Sequence, residues 1–358
     1  MFRHLNVNAL LLPVSGAALR RWRRAAQQSG TWSSPWVENA GERASGLAGM
    51  AAVSVLIPTL VLFRTADLGL AALALLVPVA GVAVTLFVWE RSALRLEVRA
   101  CRLDGFAADN GLRQRRDQTV PGYPGMILTQ GVNRRIRELL QTPPGAPRFV
   151  EFGNFECEIR QGRRDREHTT VGWGYVAIRL EHALPNIVLD ARGNDTPLGS
   201  NLPLAPVRGQ RLHLEGDFDR YFSLYAPDGY ELDALYLFAP DVMATFIDQV
   251  AFLDAEIVDH WLLLYSPHEV VTLDPARWAK LFAAVAAVDA RLGQWARWRD
   301  ERLPEARRAP VVSSLPAQLP VAPAGRRLRV RPGQRFQRIV LTLVWLAIVV
   351  AFALLTDR

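Results

Sequence analysis

Apolar residues fall into two regimes along this 358-residue chain. Residues 47–63, 68–89 and 339–355 are apolar runs with no internal charge, while the middle mixes apolar and polar positions. A helix that crosses the hydrocarbon of a bilayer needs about 17–25 apolar residues. The runs therefore predict three transmembrane helices, an N-terminal hairpin over 47–89 and one C-terminal span over 339–355. Pro58 and Pro78 fall inside the first two runs and predict kinks, because proline lacks a backbone donor.

Between the runs the pattern predicts an α+β domain over 148–303. Residues 90–118 read as a helix interrupted at Gly105 and near Asn110–Gly111, and 119–147 as a connector with a helix around Val132–Leu140. Strands are expected at 148–159, 170–180, 186–191, 210–217, 221–225, 255–258 and 262–266, forming an antiparallel sheet. The polar stretch Gly162–Asp165 supplies a hairpin turn. Proline at the start of 240–250 marks a helix. Asp274-Pro275 reads as an N-cap and first helical position. Beyond it Leu281, Val285, Val288, Leu292 and Trp295 recur at three- and four-residue steps. Trp278, Phe282, Trp295 and Trp298 give this long closing helix an aromatic stripe, expected to be core or a partner-binding surface. Residues 304–338 are rich in proline and arginine and read as an extended tether.

Charge divides the chain. Basic residues are arginine except for Lys280. The stretches flanking the apolar runs carry +12 against a chain total of +7, leaving about −5 on residues 103–324. That bias follows the positive-inside rule. It predicts an inner-membrane, multi-pass protein with a cytoplasmic basic N-terminal stretch (1–46), a cytoplasmic α+β domain and an outside C-terminus. Arg20, Arg21, Arg23, Arg24, Arg326, Arg327, Arg329 and Arg331 are the expected contacts with the bilayer surface. An acidic domain argues against nucleic acid as a partner.

Chemistry is sparse. Gly172-Trp173-Gly174-Tyr175-Val176-Ala177 matches a loose dinucleotide pattern, but it lies within a strand rather than opening a helix. The Walker, zinc-protease, C-x-x-C and G-x-S-x-G motifs are missing from the sequence. Cys101 and Cys157 suit a reducing compartment. The strongest lead is Glu215, Asp217 and Asp219 after His213, which would share one face of an extended strand and could bind a cation through oxygen. Asp254, Glu256 and Asp259 could join them. Between residues 212 and 276 only Arg220 offsets thirteen acids, which also suits an acidic docking face for a basic partner.

The segment LEGDFDRYFSLYAPDGYELDALYLFAPDVMATFID, with FGNFECEI, GWGYVAIRL and LPNIVLDARGN before it, resembles uncharacterised bacterial membrane proteins with a cytoplasmic domain of unknown function. The resemblance covers roughly 150–266 and implies an antiparallel α+β domain, with no activity or catalytic residue attached. The leading expectation is a membrane-anchored protein-interaction or scaffold module, inclining against an enzyme, whose partner is another protein or a second copy. The alternatives are a cation- or small-ligand-dependent sensor or enzyme using the strand 213–219, and a subunit of an oligomeric membrane transport complex. No cofactor is indicated.

Overall fold

The computed structural model describes residues 5–28, scattered positions between 49 and 64, 68–115, 120, 122–160, 168–195, 199–202, 204–206, 210–214, 216–298, 321–328 and 330–332. Residues 8–106 form one compact unit, and residues 1–7 with 107–358 form another.

The first unit is helical. Helices α1 (Asn8–Leu11) and α2 (Gly16–Gln28) precede the 42-residue α3 (Leu68–Asp109). The α3 helix runs unbroken through Pro78 and Gly105. A Cβ on Gly105 would come within 3.2 Å of Ala9 Cβ, so the missing side chain lets α1 approach closely. The α2 helix is tied to the charged half of α3: Arg23 pairs with the buried Glu97, and Trp22 Nε1 donates to Asp104 Oδ2 at 3.1 Å. The apolar half of α3 exposes Leu76, Val79, Val84, Phe87 and Val88.

This corrects the transmembrane expectation. Among the described residues no helix is long and apolar enough to cross a membrane. The run 68–89 is not a separate span. It is the first half of a helix whose second half carries Glu90, Arg91, Arg95, Glu97, Arg99, Arg102 and Asp104. The run 339–355 and most of 47–63 lie outside the described residues. Three transmembrane helices, a multi-pass inner-membrane location and an outside C-terminus are therefore not supported.

The second unit is the expected α+β domain, a seven-stranded antiparallel sheet with helices. Its strands are β1 (Arg113–Arg115), β2 (Val132–Gln141), β3 (Val150–Arg160), β4 (His168–Ala191), β6 (Arg211–Leu212), β7 (Phe222–Tyr225) and β8 (Asp254–Ser266). The order is β1-β2-β3-β4-β7-β6, with β8 also paired to β4. The 24-residue β4 pairs with β3 over its first half, with β7 at its end, and with β8 from Gly174 to Leu189. The sequence pattern divides β4 at Glu181–Pro185. The strand instead continues there as a bulge, with register shifts against β8 around Leu184, where Asp259 takes φ 51°. A bulge tolerates a proline that a regular ladder would exclude.

One sheet face is covered by α7 (Pro275–Trp295), behind α4 (Phe218–Tyr221), α5 (Glu231–Leu237) and α6 (Pro240–Gln249). Asp274 caps α7 as expected, its side chain accepting from Ala276 N at 2.9 Å. Phe152 stacks on Phe282 and meets Trp278 edge-on, while Trp295 packs on Phe238 and Phe246. Arg148 joins α7 to the sheet through Asp289 at 2.5 Å and Glu181 at 3.2 Å.

The opposite face is covered by the segment holding Tyr123, Met126, Ile127 and Leu128, with Leu202 and Leu328. A buried carboxylate organises this side. Glu256 accepts from Met126 N at 2.7 Å, Tyr265 OH at 2.8 Å and Asn186 Nδ2 at 3.3 Å. Asn186 Oδ1 in turn accepts from Leu328 N at 2.9 Å. Strand β9 (Val330–Pro332) then pairs with β5 (Leu204–Pro206). Residues 321–328 and 330–332 therefore belong to the domain rather than to a free tether, while 304–320 lie outside the described residues.

Candidate functional site

The four aromatics of the closing helix are internal. Trp278 and Phe282 pack against the sheet, Trp295 against Phe238 and Phe246, and Trp298, just past the helix end, reaches α5; all four are buried, so the domain itself covers the surface they would offer a partner. Their indole N–H groups reveal what they support. Trp278 donates to Thr272 O at 2.8 Å, Trp295 to Leu237 O at 2.7 Å and Trp298 to Asp233 Oδ1 at 3.0 Å. The last two acceptors belong to α5.

That short helix is therefore held rigidly from beneath. Gly229 turns the chain into it at φ 80°, and its N–H donates to Glu231 Oε1 at 2.9 Å. Tyr230, Ala234 and Leu237 are fully buried. The outward face carries Leu232, Leu235 and Tyr236 at 79%, 47% and 44% exposure. Asp228 and Glu231 are exposed beside them in sequence. Three large apolar side chains on a braced turn are a surface feature that folding alone does not require.

A second feature is a cleft of about 460 Å³ between the turn Arg192–Asn194 and the start of α7. Its lining includes Asn194, Asp195, Phe252, His268, Arg277 and Lys280. A neighbouring hollow of about 370 Å³ lies across the same loop and shares Pro267, His268, Glu269 and Arg277. The loop is fixed by Asn154. Its Oδ1 accepts from Val270 N at 2.9 Å and Val271 N at 3.0 Å, and its Nδ2 donates to Val271 O at 2.9 Å. Gly174 lets the loop cross the sheet, since a Cβ there would lie 2.4 Å from His268 O. Both lobes are thus walled by fixed backbone.

Behind the first lobe is a pair of buried acids. Asp190 Oδ1 accepts from Ser200 Oγ at 2.8 Å, and Asp254 Oδ1 from Ala191 N at 2.8 Å. Burial pushes the Asp190 carboxyl up to about 6, with neighbouring Asp195 adding to the rise while Ser200, Arg192 and Arg211 oppose it. Burial first, then the charge of Asp190, holds Asp254 well above the usual carboxylate range, although Asn194 and Asn201 are near enough to favour its ionised form. Because the Asp190 value is raised on folding, its contribution to stability is complete below about pH 3.8 and is lost as pH rises through about 6. That contribution is about 3 kcal/mol. Thermal melting between about pH 4 and 7 should show this fall in the wild type and a flatter profile in Asp190→Asn.

The acidic lead from the sequence is differently placed. Strand β6 ends at Leu212, so 213–219 is not an extended strand. Asp217 is the residue before α4, and Asp219, inside it, meets His213 Nδ1 at 2.5 Å. Glu215 lies outside the described residues. Asp254 and Glu256 point into the domain, while Asp259 pairs with Arg327 at 3.0 Å. Among the described residues no group of three or more His, Cys, Asp or Glu side chains could hold a metal ion.

Several of the basic residues are occupied within their own unit. Arg23 pairs with Glu97, Arg326 Nε donates to Val321 O at 2.8 Å and Arg327 pairs with Asp259, while the backbone of Arg331 lies opposite Ala205 in the β5–β9 ladder. Arg20, Arg21 and Arg24 are exposed on α2, and Arg329 lies outside the described residues. Sequence reasoning missed Leu232, Asn154 and Asn194. A seven-residue helix is too short to show a period, and a lone asparagine carries no pattern.

Comparison with known protein families and with curated proteins found no match. Among solved structures, the crystal structure of the mycobacterial trehalose monomycolate transport factor A, TtfA, aligns with 55% of this chain and 95% of its own, at 11% identity and a TM-score of 0.37. A similarity at that score carries no argument about this chain's function.

Proposed function

We propose that this protein is a protein-interaction module whose sheet domain offers the outward face of α5 to a basic, amphipathic segment of another protein. The observation that carries the reading is Leu232, 79% exposed on a helix whose other face is fully buried. Burying a leucine side chain stabilises an assembly by about 1.5–3 kcal/mol. The braced backbone lowers the ordering cost of binding. The basic character of the partner follows from charge. Asp228 and Glu231 are exposed next to Leu232 in sequence, and cationic side chains would complement them. The extended acidic strand needed by the sensor or enzyme reading is not formed, so that reading has less support.

The test uses the full chain and a synthetic helix with leucine on one face and arginine on the other. Fluorescence anisotropy should show saturable binding that weakens with added salt. Leu232→Asp should reduce it at least tenfold while leaving the melting temperature unchanged. A peptide with glutamate in place of arginine should bind at least tenfold more weakly. Equal binding of both peptides, or no effect of Leu232→Asp, refutes the proposal. Self-association that Leu232→Asp abolishes would assign the face to a second copy and refute it as well.

A further inference from the structure

We propose that the outward face of α5 is occupied, in the isolated chain, by the chain's own segment 299–320, which a partner has to displace. The inference rests on the α5 reading and adds its regulation.

The first reason is where the chain leaves and returns. Trp298 is the last described residue before the segment, and its indole N–H donates to Asp233 Oδ1 on α5 at 3.0 Å. On the return, Gly325 sits against Tyr230, the residue that precedes α5. A Cβ on Gly325 would lie 2.3 Å from Tyr230 Cζ. Val321 and Leu328 are buried, and Arg326 Nε donates to Val321 O at 2.8 Å, so the return is fixed in place. Both ends of the segment are therefore held at one seven-residue helix.

Length is the second reason. Tyr230 and Asp233 stand three positions apart, about 5 Å along a helix. The 22 residues of 299–320 reach about 70 Å when extended. The chain has far more length than a link between these points needs. Ends tethered in this way hold the segment near α5 at an effective concentration on the order of millimolar, so weak contacts suffice for occupancy.

The sequence supplies the third reason. From Ala306 to Pro320 the segment carries Arg307 and Arg308 and no acid, followed by Val311, Val312, Leu315 and Leu319. A basic pair followed by apolar side chains complements the exposed Asp228 and Glu231 beside Leu232, Leu235 and Tyr236. Pro304, Pro310, Pro316 and Pro320 oppose a helix and favour an extended chain, which lowers the entropy lost on docking.

Limited trypsin digestion of the full chain, read by mass spectrometry at the bonds after Arg307 and Arg308, tests the occupancy. Leu232→Asp should speed these cuts at least tenfold at an unchanged melting temperature. The ratio should hold across a hundredfold range of protein concentration. The second arm uses the arginine–leucine helix as probe. It should bind the quadruple variant Arg307→Glu, Arg308→Glu, Val311→Ser, Val312→Ser at least tenfold more tightly than the wild type. Equal digestion of wild type and Leu232→Asp overturns the proposal. So does shielding that disappears on dilution, which makes a second copy the occupant. Equal, Leu232-dependent binding of the probe to wild type and quadruple variant also overturns it, and leaves the α5 reading standing. Leu232-dependent shielding with no probe binding to either chain supports the occupancy and removes the partner reading.

Discussion

Trp278→Ala is expected to destabilise the sheet domain by about 3–5 kcal/mol, the usual range for removing a large aromatic from a closed core. Trp278 is fully buried, meets Phe152 and Phe282 edge-on, and closes the Thr272 carbonyl with its indole N–H. Truncation would leave a cavity beneath α7 and an unpaired carbonyl beside it. Domains of this kind are stable by only about 5–15 kcal/mol, so the variant should sit near its unfolding transition. Urea titration followed by tryptophan fluorescence checks this. A loss below about 1 kcal/mol would mean that α7 is not seated on the sheet as described.

Glu256→Leu should be comparably damaging for a different reason. The carboxylate accepts from Met126 N, Tyr265 OH and Asn186 Nδ2, and leucine leaves the first two donors unmet in the interior, while Asn186 Nδ2 keeps its bond to Ile257 O. Each lost partner costs about 1–3 kcal/mol, offset in part by no longer burying an ionisable group. Glu256→Gln keeps an acceptor oxygen and the side-chain shape, so it should cost much less. The two variants separate charge from hydrogen bonding. Burial raises the Glu256 value, so the stability linked to its protonation is present at low pH and is lost as pH rises through its folded value. Glu256→Gln should remove that dependence. Amide exchange at Met126 offers a local readout, accelerated strongly in the leucine variant.

The closing helix is legible because its signals agree: an Asp-Pro start, a period of 3.6 and no further proline or glycine before Gly293 in its last turn. Its role is not, because an aromatic stripe looks the same whether a sheet or a partner covers it. Strand β2 was misread as a helix for a specific reason. Ile136, Leu139 and Leu140 stand at three- and four-residue steps, yet here a register shift between Ile136 and Glu138 changes which side chains face each way. All three are buried on a sheet covered on both sides. Pairing with β3, aided by Arg135 and Arg137 reaching Glu156, overrides local preference. The apolar run 68–89 misled because an uncharged stretch does not reveal that its helix continues into charged residues. The cleft is illegible in the sequence because it is assembled from the Gly193–Asp195, Phe252–Leu253, Ser266–Val270 and Arg277–Leu281 stretches, none with a motif of its own.

The return of residues 321–332 onto the sheet bears on how the protein is made. Leu328 meets Asn186 across 142 residues, and β5 pairs with β9. At about 5–20 residues per second of synthesis, Asn186 waits roughly 7–28 s for the backbone N–H that its side chain accepts. During that interval the nascent sheet lacks part of one cover. Translation speed between Asn186 and Leu328, and any chaperone at the ribosome exit, therefore become determinants of yield.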